Sequence, residues 1–493
     1  MKYSKLVEIL STLSPGEFRD LEKFIHSPYF RKRDVSGLFN VLKKFYPDFN
    51  DENLNPEYVF KKLYPGKKFD KKKAEGLLRT ISSDFVNVCK EYLIQIELEE
   101  QSSFRDYFLL NQLRKRKLYN EFQKEFKVAL NENKLSEKEF AFRFIEKSFL
   151  YNAAIEYYID KADYENVIEN ITKQIEFLIA ASVLKSLRFP DQKNIAEEGF
   201  NLKLRYNLID KFTDNLNITG LLDEMKKNND WFTPYFRLYY CVNQLIVNPS
   251  EEKYYFELKK LLLNREIDLP QSEMYMMFSI ASAYSLDKFM SSFKSFERET
   301  FEIYESMIRF GVYKYSREDH IAPGLYLSML IEARVCKEFI WMKNLIDNYI
   351  NEIHPDIRQS IYYYSMGQYY FGTGEYERSL ENLIMVKSEY FLFKRDLKNL
   401  LFRIYYNLGY LDEANSVLDN MKHYIKSTND LSETFKTRSR NFIKFSSELL
   451  KIATGTNKNS AGYLCDSIKN ERNTESYNWL LEKAEELKLK ARG

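Results

Sequence analysis

The chain has 493 residues, 44% hydrophobic and 30% charged, with 74 Lys and Arg against 72 Asp and Glu for a formal net charge of +2. That apolar content excludes wholesale disorder, and the near balance of signs excludes a global field drawing the chain to nucleic acid or anionic membrane. Gly and Pro number only 15 and 11, under half their usual combined share of roughly 12%. Many-stranded folds need such residues at every turn, whereas long helices need few. The expectation is an all-helical protein. Its length suits about three domains unless the chain is a repeat protein.

Tyr and Phe number 38 each. Their dispersion along the chain reads as a core built with rings rather than as stacking platforms for bases. Cys89, Cys241, Cys336 and Cys465 form no C-x-x-C pair, which fits reduced thiols in a cytoplasmic protein. The N-terminal MKYSKLVEILSTLS is amphipathic but lacks a long apolar run and a cleavage site. No stretch, IEFLIAASVL included, approaches the roughly 20 apolar residues of a membrane span. A membrane partner is not expected.

In chain order, the first helix signal is Ser14-Pro15-Gly16-Glu17, with a capping hydroxyl, a proline at the first helical position and a glutamate three residues on. That helix ends in FIHSPYF, residues 24 to 30. Phe24 and Ile25 extend its apolar side, His26 suits the negative end of the dipole, and Pro28 disfavours helix at Ser27. Tyr29 and Phe30 are expected to fold back as a hydrophobic plug. His26 beside Ser27, with no third group, is a poor catalytic pair. Asn55-Pro56-Glu57 opens another helix, and a long one is expected from about Lys71. There Leu78, Ile81, Phe85, Cys89, Tyr92 and Ile96 recur at steps of three and four as one buried stripe. Ser136-Glu137-Lys138-Glu139 and, more loosely, Ser316-Arg317-Glu318-Asp319 are further expected helix starts.

The segment IYYYSMGQYYFGTGEYERSLENLIMV, residues 361 to 386, carries the clearest repeat. Tyr363, Met366, Gly367 and Tyr370 lie on a first helix, Gly374-Glu375-Tyr376 forms a turn, and Ser379, Leu383 and Val386 lie on a second. Gly367 would permit close helix approach while the rings fill the space around it. A second unit follows 35 residues on, with Gly409 in the place of Gly374, then Leu411, Ala414, Leu418 and Met421. Here Phe402 replaces the first-helix glycine, so a looser crossing is expected. Weaker hairpins run from Tyr326 to Tyr349 and over residues 151 to 171. A lone hairpin cannot bury its apolar face, so stacking is expected. These units resemble tetratricopeptide repeats. With LSPGEFRDLEKFIHSPYF, VFKKLYPGKKFDKKKAEGLL and WLLEKAEEL, the chain resembles an uncharacterised family of large bacterial helical-repeat proteins. The resemblance implies an all-α fold, a right-handed α-α superhelix or TPR-like solenoid, preceded by a small N-terminal helical module. The expected division is a module over 1–100, a solenoid over 101–452, and a polar break with a C-terminal helix over 453–493. In that last helix Trp479-Leu480 would cap the last repeat.

The four histidines, His26, His320, His354 and His423, have no His or Cys at metal-ligand spacing, and no hydrolase, Walker or Rossmann fingerprint occurs. No catalytic residue, metal or cofactor is expected. Two surfaces remain. KKLYPGKKFDKKK places Lys61, Lys62, Lys67, Lys68, Lys71, Lys72 and Lys73 around Asp70. The last three oppose the dipole of their own helix, so the stretch is either a solvated turn or, with Arg31-Lys32-Arg33 and Arg114-Lys115-Arg116-Lys117, a site for nucleic acid or another polyanion. The second surface is the face that the tetratricopeptide resemblance assigns to ligands, the exposed positions of each first helix. These are Tyr364, Gln368 and Phe371, then Asn399, Arg403 and Tyr406. Such a mixture suits a peptide, though Phe371 and Tyr406 are equally readable as packing against the next hairpin. The expected function is a non-catalytic scaffold or adaptor that binds a protein or peptide there. The alternative is a regulator whose N-terminal module binds nucleic acid.

Overall fold

Backbone hydrogen bonds close nearly every segment locally in this computed structural model, which describes residues 4–27, 34–51, 54–100, 102–131, 140–194, 207–265, 267–290, 294–387, 391–428, 433–455 and 461–490. Among the described residues there are 24 α-helices and no strand. Tyr29-Phe30, Arg31-Lys32-Arg33, Ser136 to Glu139 and the centre of the polar break at 456–460 lie outside them. No helix of the described residues is long and apolar enough to cross a membrane. The chain divides into two compact units, one of residues 1–134 and 146–176, the other of 135–145 and 177–493.

The first unit begins with α1 (Lys5–Thr12), α2 (Pro15–His26), α3 (Ser36–Leu42), α4 (Pro56–Leu63) and α5 (Lys71–Glu100). Ser14 and Glu17 form the full capping box at the start of α2, and Asn55 accepts from the Tyr58 amide at the start of α4. At the start of α5, the Lys73 amide donates to Asp70 Oδ1 at 3.2 Å. The α5 stripe then buries Leu78, Phe85, Cys89 and Tyr92, with Ile81 and Ile96 at its edge, against Leu10, Leu21, Leu38, Phe39 and Val59. A separate core joins Leu110 of α6 (Ser102–Lys115), Phe122 of α7 (Tyr119–Asn131) and Leu150, Ala153 and Tyr157 of α8 (Phe140–Asp160). Its centre is the stack of Phe122 on Tyr157, 4.3 Å between centroids. Both α8 and the following α9 (Tyr164–Asn194) contribute residues to each unit.

The second unit continues with α10 (Leu208–Asp214), α11 (Ile218–Lys227), α12 (Thr233–Val247), α13 (Lys253–Asn264), α14 (Gln271–Met290), α15 (Glu299–Phe310), α16 (Pro323–Val335) and α17 (Phe339–Tyr349). It ends with α18 (Pro355–Thr373), α19 (Tyr376–Ile384), α20 (Phe391–Leu408), α21 (Leu411–Ser427), α22 (Glu433–Ala453), α23 (Ala461–Asn470) and α24 (Tyr477–Lys490). From α16 onward each helix packs on the next, and α16 on α18, α18 on α20 and α22 on α24 also touch. The Glu273 carboxylate on α14 ties three other segments together. It accepts from Tyr239 Oη at 2.8 Å, Arg188 Nη1 at 3.2 Å and the Phe140 amide at 3.4 Å. A buried charge satisfied by three donors locks the helices that supply them.

Five hairpins share one turn. Lys117, Ala162, Lys337, Gly374 and Gly409 all take positive φ, and each next helix begins two residues later. In each, the amide after that residue bonds to the carbonyl five positions back. Examples are Glu338 to Ala333 at 2.8 Å, Glu375 to Tyr370 at 2.8 Å and Tyr410 to Tyr405 at 2.9 Å. This is the Schellman closure, which satisfies helix-end carbonyls at the cost of one left-handed residue. Glycine marks only two of the five in sequence. Elsewhere lysine and alanine take the strained conformation, so the hairpin signal fades there.

The segment from Ser316 to Asp319 does not open a helix. Asp319 Oδ2 accepts from the Ser316 amide at 2.9 Å, and α16 starts only at Pro323. The Ile321 amide is committed to Glu352 O at 2.9 Å, which holds the chain extended until the proline.

Within α18 and α19, Ser379 Oγ donates to Gly367 O at 2.6 Å, and a Cβ on Gly367 would stand 2.5 Å from Leu383 Cδ2. Leu383 is itself buried, so its side chain would have to shift within the core. Replacing Gly367 with alanine should therefore cost about 1–3 kcal/mol by overpacking, read from the urea midpoint; an unchanged midpoint would show that the crossing does not require glycine.

Candidate functional site

Counting back from the turn residue aligns the hairpins. Six residues before Lys337, Gly374 and Gly409 stand Ile331, Gln368 and Arg403; three before stand Arg334, Phe371 and Tyr406; ten before the last two stand Tyr364 and Asn399. The matched register brings these positions onto the same side of α16, α18 and α20. Tyr364, Gln368, Asn399 and Arg403, with Ile331 and Arg334, line one cavity of about 720 Å³. Phe371 and Tyr406 do not line it. The Phe371 ring lies under the guanidinia of Arg403 and Arg334, at 4.5 and 5.6 Å, and Tyr406 packs on Trp479 at 5.6 Å.

These positions are not the exposed ones that the repeat resemblance implies. Tyr364, Gln368, Asn399 and Arg403 are 1%, 3%, 4% and 5% exposed. The cause is the segment from Arg472 to Trp479, which leads into α24 and supplies much of the cavity wall. Ser476 Oγ donates to Asn399 Oδ1, and Ser439 Oγ donates to Glu475 Oε2, both at 2.9 Å. Asn441 Nδ2 donates to Asn473 O at 2.9 Å. Trp479 meets Phe402 at 5.9 Å as well as Tyr406, so it docks on the inward side of α20.

The wall is electrostatically uneven. Arg334 and Arg403 make no hydrogen bond or ion pair through their guanidinia with any described residue, and the Nε of each is shielded and unpartnered. Burial, and then the charge of Arg334, lower the Arg403 guanidinium to about 9. Burial also lowers Arg334. The nearby acids are engaged elsewhere. Asp396 is bound by Arg395 at 2.7 Å, and Glu475 sits 3.5 Å from the same arginine. Burial pushes the Glu332 carboxyl up to about 7, against the pull of Arg334. Asn399 Nδ2, Trp479 Nε1 and Gln368 Oε1 are further shielded polar atoms without partners on this wall. Buried polar atoms in folded proteins are nearly always satisfied, so five on one cavity mark a place where something is meant to bind.

Sequence singles out Trp479, as part of a capping pair with Leu480, but not Arg334, Glu332 or residues 472–478 as parts of this wall. Arg334 was within reach, because it occupies the turn register of Phe371 and Tyr406 on a hairpin whose turn residue is lysine. The 472–479 segment lies outside any repeat, and only packing brings it here. In the first unit Lys61, Lys62, Lys67, Lys68, Lys71, Lys72 and Lys73 are all exposed. Lys61 alone among them pairs with an acid of the described residues, Glu57 at 2.7 Å, and Lys67 lies over the Tyr64 ring. Among the described residues no three His, Cys, Asp or Glu side chains are placed to hold a metal ion.

Because the folded protein raises the Glu332 carboxyl from 4.5 to about 7, its contribution is intact below the unfolded range and is lost as pH rises through about 7. Glu332→Gln should match the parent near pH 4.5 and exceed it by up to about 3 kcal/mol at pH 8. Denaturation curves across that range check this, and parallel pH profiles would refute it.

Comparisons with protein-family models, with curated proteins and with solved structures give no match to this chain, and the cavity is read from its own residues.

Proposed function

We propose that this protein is a non-catalytic scaffold or adaptor, a TPR-like α-solenoid of right-handed superhelical form that binds a protein or peptide segment in the cavity between α16, α18, α20 and the 472–479 segment. One observation carries the reading. Four inner-register side chains, Tyr364, Gln368, Asn399 and Arg403, converge on one cavity, and three of them keep polar atoms that no described residue satisfies. Folding alone does not account for that arrangement. An unpaired buried guanidinium is destabilising, and a rule broken without compensation marks a binding site. The recurring turn and the packing of each helix on its neighbour support the solenoid reading.

The test separates binding from stability. Gln368→Ala with Arg403→Ala should lose the partner recovered with the parent protein from its own cells. The melting temperature should fall only slightly, since Arg403 has no ion pair among the described residues to lose and Gln368 gives up one buried hydrogen bond, to Tyr364 Oη at 2.8 Å. Unaltered recovery would remove this face from consideration.

A second reading rests on the exposed lysines, of which Lys71, Lys72 and Lys73 occupy the first turn of α5. There they are unfavourable to the helix and open to a polyanion. On this reading the full chain retards nucleic acid at low salt, with affinity falling steeply as salt rises. Replacing Lys67, Lys68, Lys71, Lys72 and Lys73 with glutamine abolishes the retardation. Absence of any retardation by the parent at low salt would end this reading.

A further inference from the structure

We propose that the cavity is an oxyanion site, in which Arg334 and Arg403 together hold a carboxylate or phosphoryl group of the ligand. The inference rests on the inner-face reading above and names the chemistry that the bound segment must present.

The argument is one of charge and hydrogen-bond supply. Two guanidinia lie over the same Phe371 ring, and neither has an ion pair or hydrogen bond among the described residues. Two like charges in a low-dielectric wall repel, and the ring face compensates a cation only weakly. The acids lining the cavity do not fill the gap. Asp396 and Glu475 favour the charged Arg403 only at a distance and are bound to Arg395. Glu297 stands exposed at the rim, and Glu332, which acts on Arg334 without pairing with it, is partly neutralised by its own burial at neutral pH. The shielded unpartnered atoms also have a sign. Arg334 Nε, Arg403 Nε, Asn399 Nδ2 and Trp479 Nε1 are donors, against the single acceptor Gln368 Oε1. A wall rich in unused donors and unbalanced arginines fits a ligand rich in acceptors and carrying negative charge. Arginine forks match carboxylate and phosphoryl oxygens in geometry as well as charge.

The group could arrive on an acidic segment of a partner or on a free small anion, and titration distinguishes the two. The full chain is titrated calorimetrically with citrate, inorganic phosphate, a glutamate-rich decapeptide and the matching glutamine decapeptide. The titrations are repeated on Arg334→Met/Arg403→Met and on Arg403→Lys. The expected result is that at least one anionic probe binds the parent and raises its melting temperature. The double variant should lose that affinity by about tenfold or more, the scale of a charged hydrogen-bonded contact, and Arg403→Lys should fall between. The double variant should melt no lower than the parent without probe, which separates lost binding from lost folding.

Binding of the glutamate peptide but not the glutamine peptide assigns the oxyanion to an acidic partner segment. Binding of citrate or phosphate alone upholds the oxyanion site and overturns the peptide reading of the inner face. Equal binding of both peptides by parent and double variant upholds the peptide reading and overturns the oxyanion site. No response of the parent to any probe overturns the site.

Discussion

The register of the cavity wall depends on how its helical hairpins are closed. A helix end leaves carbonyl groups without partners, and a connection of two or three residues offers very little backbone to satisfy them. The solution at Lys117, Ala162, Lys337, Gly374 and Gly409 is a single residue of positive φ followed by a reach-back amide. That choice sets the residue that starts the second helix. It also sets which first-helix positions face the same way from one hairpin to the next. Register, and with it the cavity wall, is a consequence of turn geometry.

Side chains then decide how tightly the pairs close. Gly367 lets α18 and α19 approach until Leu383 occupies the space of its missing Cβ. In the following hairpin the equivalent position is Phe402, buried against Phe442 and Trp479. The Phe402 ring gives the C-terminal segment something to dock on. Trp479 is thus positioned by a departure from the repeat pattern, and the segment it anchors covers the inner face.

The cost of this arrangement is electrostatic. The second unit satisfies a buried carboxylate carefully elsewhere, since Glu273 has three donors. At the cavity two arginine guanidinia have no ion pair or hydrogen bond among the described residues, and Asn399 Nδ2, Gln368 Oε1 and Trp479 Nε1 are shielded without one. Single shielded atoms without partners also occur away from the cavity, Arg188 Nε among them, but at the cavity five line one wall, and that clustering argues for binding there.

Much of the helical architecture was legible from residues. Capping at Ser14 and Asn55, the α5 stripe from Leu78 to Tyr92 and the glycine turns at 374 and 409 depend on local backbone chemistry and helical period, which a sequence carries directly. The helix start at Ser316 was misread because Ile321 is held by a carbonyl far along the chain, at Glu352. Tyr364, Gln368, Asn399 and Arg403 were picked out by register, yet their burial was not. The segment that buries them is separated from Asn399 by some seventy residues, and no periodicity reports a contact of that length. By itself the sequence determined the helices, their caps and the inward register of each hairpin, because these are set within a few residues. Only the tertiary structure decided that Arg334 joins Arg403, that neither makes an ion pair among the described residues, and that the 472–479 segment walls the inner face, because burial and charge balance are properties of neighbours in space.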